Sequence, residues 1–143
     1  MPSNRSLRFM NAAHRAALRL TGGRVGWTFS GMPMIELTTT GRKSGEQRST
    51  MLASPLQLGE TIVIVASRGG DPIHPGWYHN LTANPDVEVV YKGGRKKRMR
   101  ARTADSEERA ELWPRITKDH RNFAEYQTKT DREIPVVLLE PRA

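Results

Sequence analysis

The sequence predicts an α+β domain: about six short, mostly antiparallel strands rolled into a barrel, with helices at its ends. Three observations point there. Short β-branched or apolar runs recur between tight glycine turns. They follow one another without the strand–helix rhythm of a parallel sheet. One run, residues 61–67 (Thr-Ile-Val-Ile-Val-Ala-Ser), is apolar on both faces and belongs between other elements.

Residues 2–20 read as a helix capped by Ser3 or Asn4. At about 100° per residue, Arg5, Arg8, Arg15 and Arg19 fall within an arc of about 80°. Leu7, Met10, Ala13, Ala17 and Leu18 lie opposite, and no acid precedes Glu36. Two readings stand: a helix packed on its own domain with an arginine-lined outer face, or a basic amphipathic helix resting on anionic lipid through residues 4–20. Alanine makes the apolar side weak for insertion. Thr21-Gly22-Gly23 ends the helix. The chain thus divides into a basic helix over 1–24 and a barrel over 25–143. Trp27 and Phe29 alternate in a short linking strand, suited to covering a barrel end.

Strands are expected at 34–40, 48–58 and 61–67. Residues 68–76 are too rich in glycine and proline for regular structure. A short helix follows from Trp77 and stops before Pro85. Residues 86–92 and 95–103 form a hairpin across Gly93-Gly94. On its second strand Lys96, Arg98, Arg100 and Arg102 share one face, opposite Met99 and Ala101; this reads as a solvated, charged edge. Asp105 caps a helix with Glu107 and Glu108 in its first turn, and Pro114 breaks or restarts it. His120, Phe123 and Tyr126 are spaced to share a face. Residues 134–139 form the last strand.

The chemistry concentrates between the first two of these strands. Gly41-Arg42-Lys43-Ser44-Gly45 places two cations and a hydroxyl in a glycine-bounded loop. Such a loop turns backbone N–H groups inward and suits an anionic oxygen cluster, a phosphate above all. On spacing alone the commoner reading is an ordinary hairpin turn with solvated charges. The Walker pattern is absent. The formal net charge of +8 favours an anionic partner: nucleic acid, membrane surface or polyanionic small molecule. No aromatic is interleaved with the cations of residues 95–103, which argues against single-stranded nucleic acid, and no specific nucleic acid is expected. There is no cysteine, hence no disulfide or thiolate zinc site, and the four histidines form no metal-ligand pattern. No run reaches membrane-spanning length and no signal peptide is evident. The expectation is a cytoplasmic protein, peripheral at the inner face of the membrane if the first helix meets lipid.

Three ordered motifs carry a resemblance. The first is residues 37–45 (Leu-Thr-Thr-Thr-Gly-Arg-Lys-Ser-Gly) with Arg48 and Thr50. The second is residues 66–70 (Ala-Ser-Arg-Gly-Gly), then 75–81 (Pro-Gly-Trp-Tyr-His-Asn-Leu) and Asn84-Pro85. The third is Tyr126-Gln127 with residues 130–136 (Thr-Asp-Arg-Glu-Ile-Pro-Val). Together they resemble the deazaflavin-dependent nitroreductase family, F420-using oxidoreductases of actinobacteria, from about residue 35 to the C-terminus. The resemblance implies a split β-barrel of the flavin-reductase, FMN-binding type. It also implies coenzyme F420, whose phosphodiester and oligoglutamate tail are anionic, as hydride donor. FMN is the lesser alternative.

By that resemblance Arg42, Lys43 and Ser44 hold the phosphate. Arg48, Ser49, Thr50, Met51, Leu52 and Ala53 line the deazaflavin. Ala66, Ser67, Arg68 and Gly69 form the opposite rim, and Trp77, Tyr78, His79, Asn80 and Leu81 close the site. The implied activity passes a hydride to an electron-poor acceptor: a quinone, an enone or a nitroaromatic. Tyr126 and Ser67 are the candidates to hydrogen-bond or protonate it, with Phe123 and Tyr126 in its pocket. Relatives often carry tyrosines where His120 and Phe123 stand, which argues against nitroreduction. An F420 carrier without turnover uses the same loops.

Overall fold

A computed structural model describes residues 28–29 and 31–142. The expected helix over 2–20, the segment 1–24 and Trp27 lie outside the described residues. Within them the chain forms β1 (Thr28–Phe29), β2 (Met32–Thr40), β3 (Gln47–Ala53), β4 (Leu56–Leu58), β5 (Thr61–Val65), β6 (Asp86–Tyr91), β7 (Lys96–Thr103) and β8 (Val136–Pro141). Three helices accompany them: α1 (Gly76–Ala83), α2 (Ser106–Asp119) and α3 (Arg121–Thr128). Every ladder is antiparallel, in the order β1-β2-β6-β7-β8-β5-β4, with β3 on the edge of β2 away from β6.

Eight strands replace the expected six, because β1 is added and the run at 48–58 breaks in two. β3 pairs with β2, from Met34↔Ala53 to Thr40↔Gln47. β4 pairs with β5 at the far edge, from Leu56↔Val63 to Leu58↔Thr61. Only Ser54 and Pro55 separate these two edges, so the sheet curls until they meet. Pro55 has no N–H to continue a ladder. Ser54, fully buried, makes the seam: its N–H donates to the Pro33 carbonyl at 2.8 Å and its hydroxyl to the Val63 carbonyl at 2.6 Å. Beyond the seam, among the described residues, no ladder joins β3 to β5. The barrel is split there.

The core follows from strand alternation. Ile62 and Ile64 of β5, with Val137 and Leu139 of β8, point into the barrel beside Ile35, Leu37, Val87, Val89 and Met99. Val63, Val65, Val136 and Leu138 point outward and are covered by Leu112, Ile116 and Phe123 of α2 and α3. Both faces of β5 are therefore buried, as its sequence requires. Each such aliphatic side chain contributes about 1.5–3 kcal/mol on leaving water. Leu81 of α1, 1% exposed, plugs one barrel end.

Two further expectations change. Residues 96–103 are not an edge, since β7 pairs with both β6 and β8. Its cations face solvent; Lys96 meets Glu88 at 3.3 Å, and Arg102, at the end of the strand, meets Glu140 and Glu108 of α2. Pro114 lies inside α2 without ending it. The turns on either side are anchored by burial of Leu112 and Ile116, and the Asp105–Glu108 capping box fixes the start.

Candidate functional site

The ladder directions bring the motifs together. Stepping antiparallel from β2 through β6, β7 and β8 to β5 leaves β2, β7 and β5 pointing the same way. Their C-terminal ends, and the N-terminal ends of β3 and β8, share one end of the barrel. The loops at 41–46, 66–75 and 129–135 all leave from that end, and α1 lies across it.

The 41–46 loop is built by its own backbone. Gly41 N–H donates to the Glu46 carbonyl at 2.7 Å, and Gly45 N–H to the Gly41 carbonyl at 2.9 Å. Gly45 has φ of 71°, and a Cβ on Gly41 would sit 2.7 Å from Ser44 Oγ. Both glycines are thus required by the turn itself. Ser44 Oγ accepts the Glu46 N–H at 3.1 Å, which leaves its own proton free to donate. Arg42 and Lys43 are exposed at the tip, with no carboxylate partner among the described residues. Arg48 is exposed and meets Glu46 at 3.4 Å.

Along β3 the pleat sorts the expected lining residues. Arg48, Thr50 and Leu52 oppose Thr39, Leu37 and Ile35, so they share the barrel's inner face, where Leu52 joins the core. Ser49, Met51 and Ala53 take the other face. Ser49 Oγ lies 2.8 Å from Thr38 Oγ1, and Met51 packs with Met34 and Ala53.

The opposite rim runs from Ala66 to Gly70. Arg68, Gly69 and Gly70 have φ of 47°, 64° and 83°, three successive left-handed residues. The Arg68 side chain is buried against Asp71 at 3.5 Å, so Arg68 offers its backbone rather than its charge to the site. Ser67 is 8% exposed. It is one of four buried polar side chains among the described residues, with Thr38, Thr39 and Ser54. The other three hydroxyls are hydrogen-bonded; the Ser67 hydroxyl has no partner among the described residues. A buried hydroxyl left so is expected to meet a ligand or water.

The Asn80 amide is engaged at both ends: Oδ1 accepts the Arg42 N–H and Nδ2 donates to Thr39 Oγ1, each at 3.2 Å. Asn80 ties α1 to the cationic loop. Tyr78 Oη lies 3.1 Å from Thr103 Oγ1, and Trp77 and Tyr78 pack on the barrel core. The His74 ring lies 4.8 Å from Tyr78 and 5.6 Å from His79. Its pKa is pushed below the ordinary value by burial first, then by the Arg132 and His79 charges.

His120, Phe123 and Tyr126 do share a face, with successive ring centroids 6.4 and 6.0 Å apart, edge to face. Phe123 is buried in the outer core; Tyr126 is half-buried, and its hydroxyl has no partner among the described residues. A Cβ on Gly70 would meet the Tyr126 carbonyl at 2.7 Å, so the rim lies directly on α3.

Two residues went unassigned as functional although both stand in the third motif. Arg132 donates to the Ala66, Ser67 and Asp71 carbonyls at 3.2, 2.8 and 2.9 Å. Gln127 Nε2 donates to the Arg132 carbonyl at 2.8 Å, and its Oε1 accepts the Ile134 N–H at 2.9 Å. A glutamine and an arginine five apart carry no local signal of such contacts.

An antiparallel split barrel with a cationic, glycine-bounded loop and a buried open hydroxyl at one end defines a class: a protein that holds an anionic cofactor across the barrel mouth. The family profile described as F420H(2)-dependent quinone reductase matches residues 10–141, and the chain belongs to that family. It is 41% identical over 133 residues to a Mycobacterium tuberculosis protein named F420H(2)-dependent quinone reductase, covering 90% of this chain and 88% of that one. Among solved structures it is similar to an F420-H2 dependent reductase at 42% identity, with a TM-score of 0.66 over 76% of this chain and 94% of the other. A chain described as a domain-swapped dimer is 36% identical, with a TM-score of 0.67 over 90% and 97% of the two.

Proposed function

We propose that this chain is an F420H2-dependent quinone reductase. The observation that carries the reading is the convergence, at one barrel end, of the exposed Arg42-Lys43-Ser44 loop and the buried, unpartnered Ser67 hydroxyl. Arg42 and Lys43 neutralise the anionic phosphodiester, and the Ser44 hydroxyl donates to it. Arg48, Thr50 and Leu52 face the ring from one wall of the split; residues 66–69 face it from the other. Trp77, Tyr78, His79 and Leu81 keep water out from above.

F420H2, when bound, supplies the hydride. A quinone that accepts it also takes up one proton to become a hydroquinone. Ser67 and Tyr126 hydrogen-bond the quinone oxygens and fix the acceptor's pose. An unperturbed phenol is a weak acid, so orientation rather than proton donation is the role of Tyr126. Phe123 lends only its ring to the pocket. This favours quinones over nitroaromatics, whose reduction draws on more hydrogen-bond donors. Residues 4–20, which carry Arg5, Arg8, Arg15 and Arg19 and no acid, suit an anionic membrane surface at the inner side of the cell membrane, where lipid-soluble quinones reside.

The test is a fluorescence titration with F420, followed by oxidation of F420H2 by menadione. Lys43→Ala is expected to weaken F420 binding about tenfold, the loss of one charge-assisted contact. Unchanged affinity would remove the phosphate assignment. Tight binding without menadione-dependent oxidation would make the chain a carrier instead.

A further inference from the structure

We infer that Arg132 is the positioning residue for the Ser67 hydroxyl, an inference that rests on the hydride-transfer reading of this barrel end. Ser67 has no side-chain bond among the described residues to hold it, so its backbone sets the Cβ position from which the hydroxyl reaches into the site. That backbone is held by two main-chain bonds, Ala66 N–H to the Pro135 carbonyl and Gly70 N–H to the Ser67 carbonyl, each at 3.0 Å, and by one guanidinium that spans the segment. Arg132 Nη2 donates to the Ser67 carbonyl at 2.8 Å and Nη1 to the Ala66 carbonyl at 3.2 Å. Nε donates to the Asp71 carbonyl at 2.9 Å, and Nη1 also lies 3.0 Å from His74 Nδ1. With Nη1 as donor, His74 Nδ1 is the acceptor and its proton sits on Nε2.

The segment needs such a clamp. Ser67 opens directly into Arg68, a non-glycine residue at φ of 47°, a conformation that persists only where surrounding contacts impose it. The Arg68 side chain is engaged by Asp71 and holds only its own turn. The planar fork of Arg132 reaches acceptors on both sides of that turn at once. A lysine ammonium, a single point on a flexible stem, cannot.

Arg132 is itself fixed from α3. Gln127 Nε2 donates to the Arg132 carbonyl at 2.8 Å, and Gln127 Oε1 accepts from Ile134 N–H and from Arg109 Nη2 at 2.9 and 3.1 Å. One path of hydrogen bonds therefore runs from the helix that carries Tyr126 to the rim that carries Ser67. It sets the separation of the two hydroxyl-bearing residues proposed to flank the acceptor.

The experiment is a double-mutant cycle on F420H2-dependent menadione reduction, with melting and F420 affinity measured for every variant. Ser67→Ala and Arg132→Lys are each expected to lower kcat/KM about tenfold or more, since small displacements at a reacting centre are costly. The double variant is expected to lose no more than Ser67→Ala alone, because both changes act through one hydroxyl. A general structural role would not produce that coupling. Gln127→Met, which frees the Arg132 segment but keeps the guanidinium, is expected to show the same non-additivity and serves if Arg132→Lys fails to fold. Wild-type turnover in Arg132→Lys, or losses that multiply in the double variants, overturns the inference alone. Wild-type turnover in Ser67→Ala overturns the reading of the site and the inference with it.

Discussion

Asn80 Oδ1 accepts the backbone N–H of Arg42 at 3.2 Å, while its Nδ2 donates to Thr39 Oγ1 at the same distance. One amide thus joins three elements: the end of β2, the cationic loop and the helix across the barrel mouth. The loop's own bonds close its turn, and among the described residues this hydrogen bond ties it to α1.

Asn80→Ala should therefore loosen the loop without unfolding the barrel. F420 affinity is expected to fall about three- to tenfold, the worth of one or two net hydrogen bonds. Asn80→Asp keeps the acceptor for Arg42 but sets a negative charge beside the loop that binds the anion, so its loss should be the larger. Fluorescence titration ranks the two, and equal affinity in all three proteins would separate Asn80 from the loop.

Tyr126→Phe tests the division between binding and turnover. The outer core keeps its ring, so melting should not move. Menadione reduction is expected to slow about three- to tenfold, the worth of one hydrogen bond to the acceptor, with F420 affinity unchanged. Turnover equal to wild type would leave Tyr126 a packing residue between Phe123 and Gly70.

Ser54→Ala probes barrel closure. It removes the donor to the Val63 carbonyl at the point where β3 passes into β4, in a site that is fully buried. The cost is expected to be about 1–3 kcal/mol, because the same hydroxyl also bonds the Leu56 carbonyl and Gln57 Nε2. Urea unfolding measures it, and a loss below about 0.5 kcal/mol, less than a typical net hydrogen bond, would mean another group secures the seam.

Acid should weaken the fold partly through Glu108. Hydrogen bonds from Arg102, and then the Asp105 N–H, hold its pKa at about 2, well below 4.5. A depressed carboxylate contributes stability above its unfolded pKa and loses it as pH falls. The contribution should thus be complete above about 4.5 and vanish towards 2. Both side chains are partly solvated, so the effect is modest and sensitive to salt. Glu108→Gln should flatten the pH dependence of melting in that window; an unchanged slope would assign it to other carboxylates.

Much of this molecule is legible in short stretches of sequence. The unbroken apolar run within residues 61–67 marked a strand buried on both sides, and β5 is one. Gly41 and Gly45 marked a tight turn, and the turn needs both. Asp105 marked a helix start, and its capping box forms with Glu108. The charged face of residues 96–103 was correctly sorted from Met99 and Ala101, yet read as an edge. Alternation reports which side of a strand meets water, not how many neighbours it has.

Sequence alone determined most of the strands and turns and the cationic loop, since each depends on the chemistry of residues near one another in the chain, and its three ordered motifs marked the family. Tertiary structure decided that residues 48–58 break at Ser54 to join two sheet edges. It also decided that Asn80 reaches the loop through the Arg42 N–H, and that Arg132 grips Ser67 across 65 positions. Those outcomes hang on barrel closure, which sets distances between residues far apart in the chain. No local periodicity or turn preference encodes such distances.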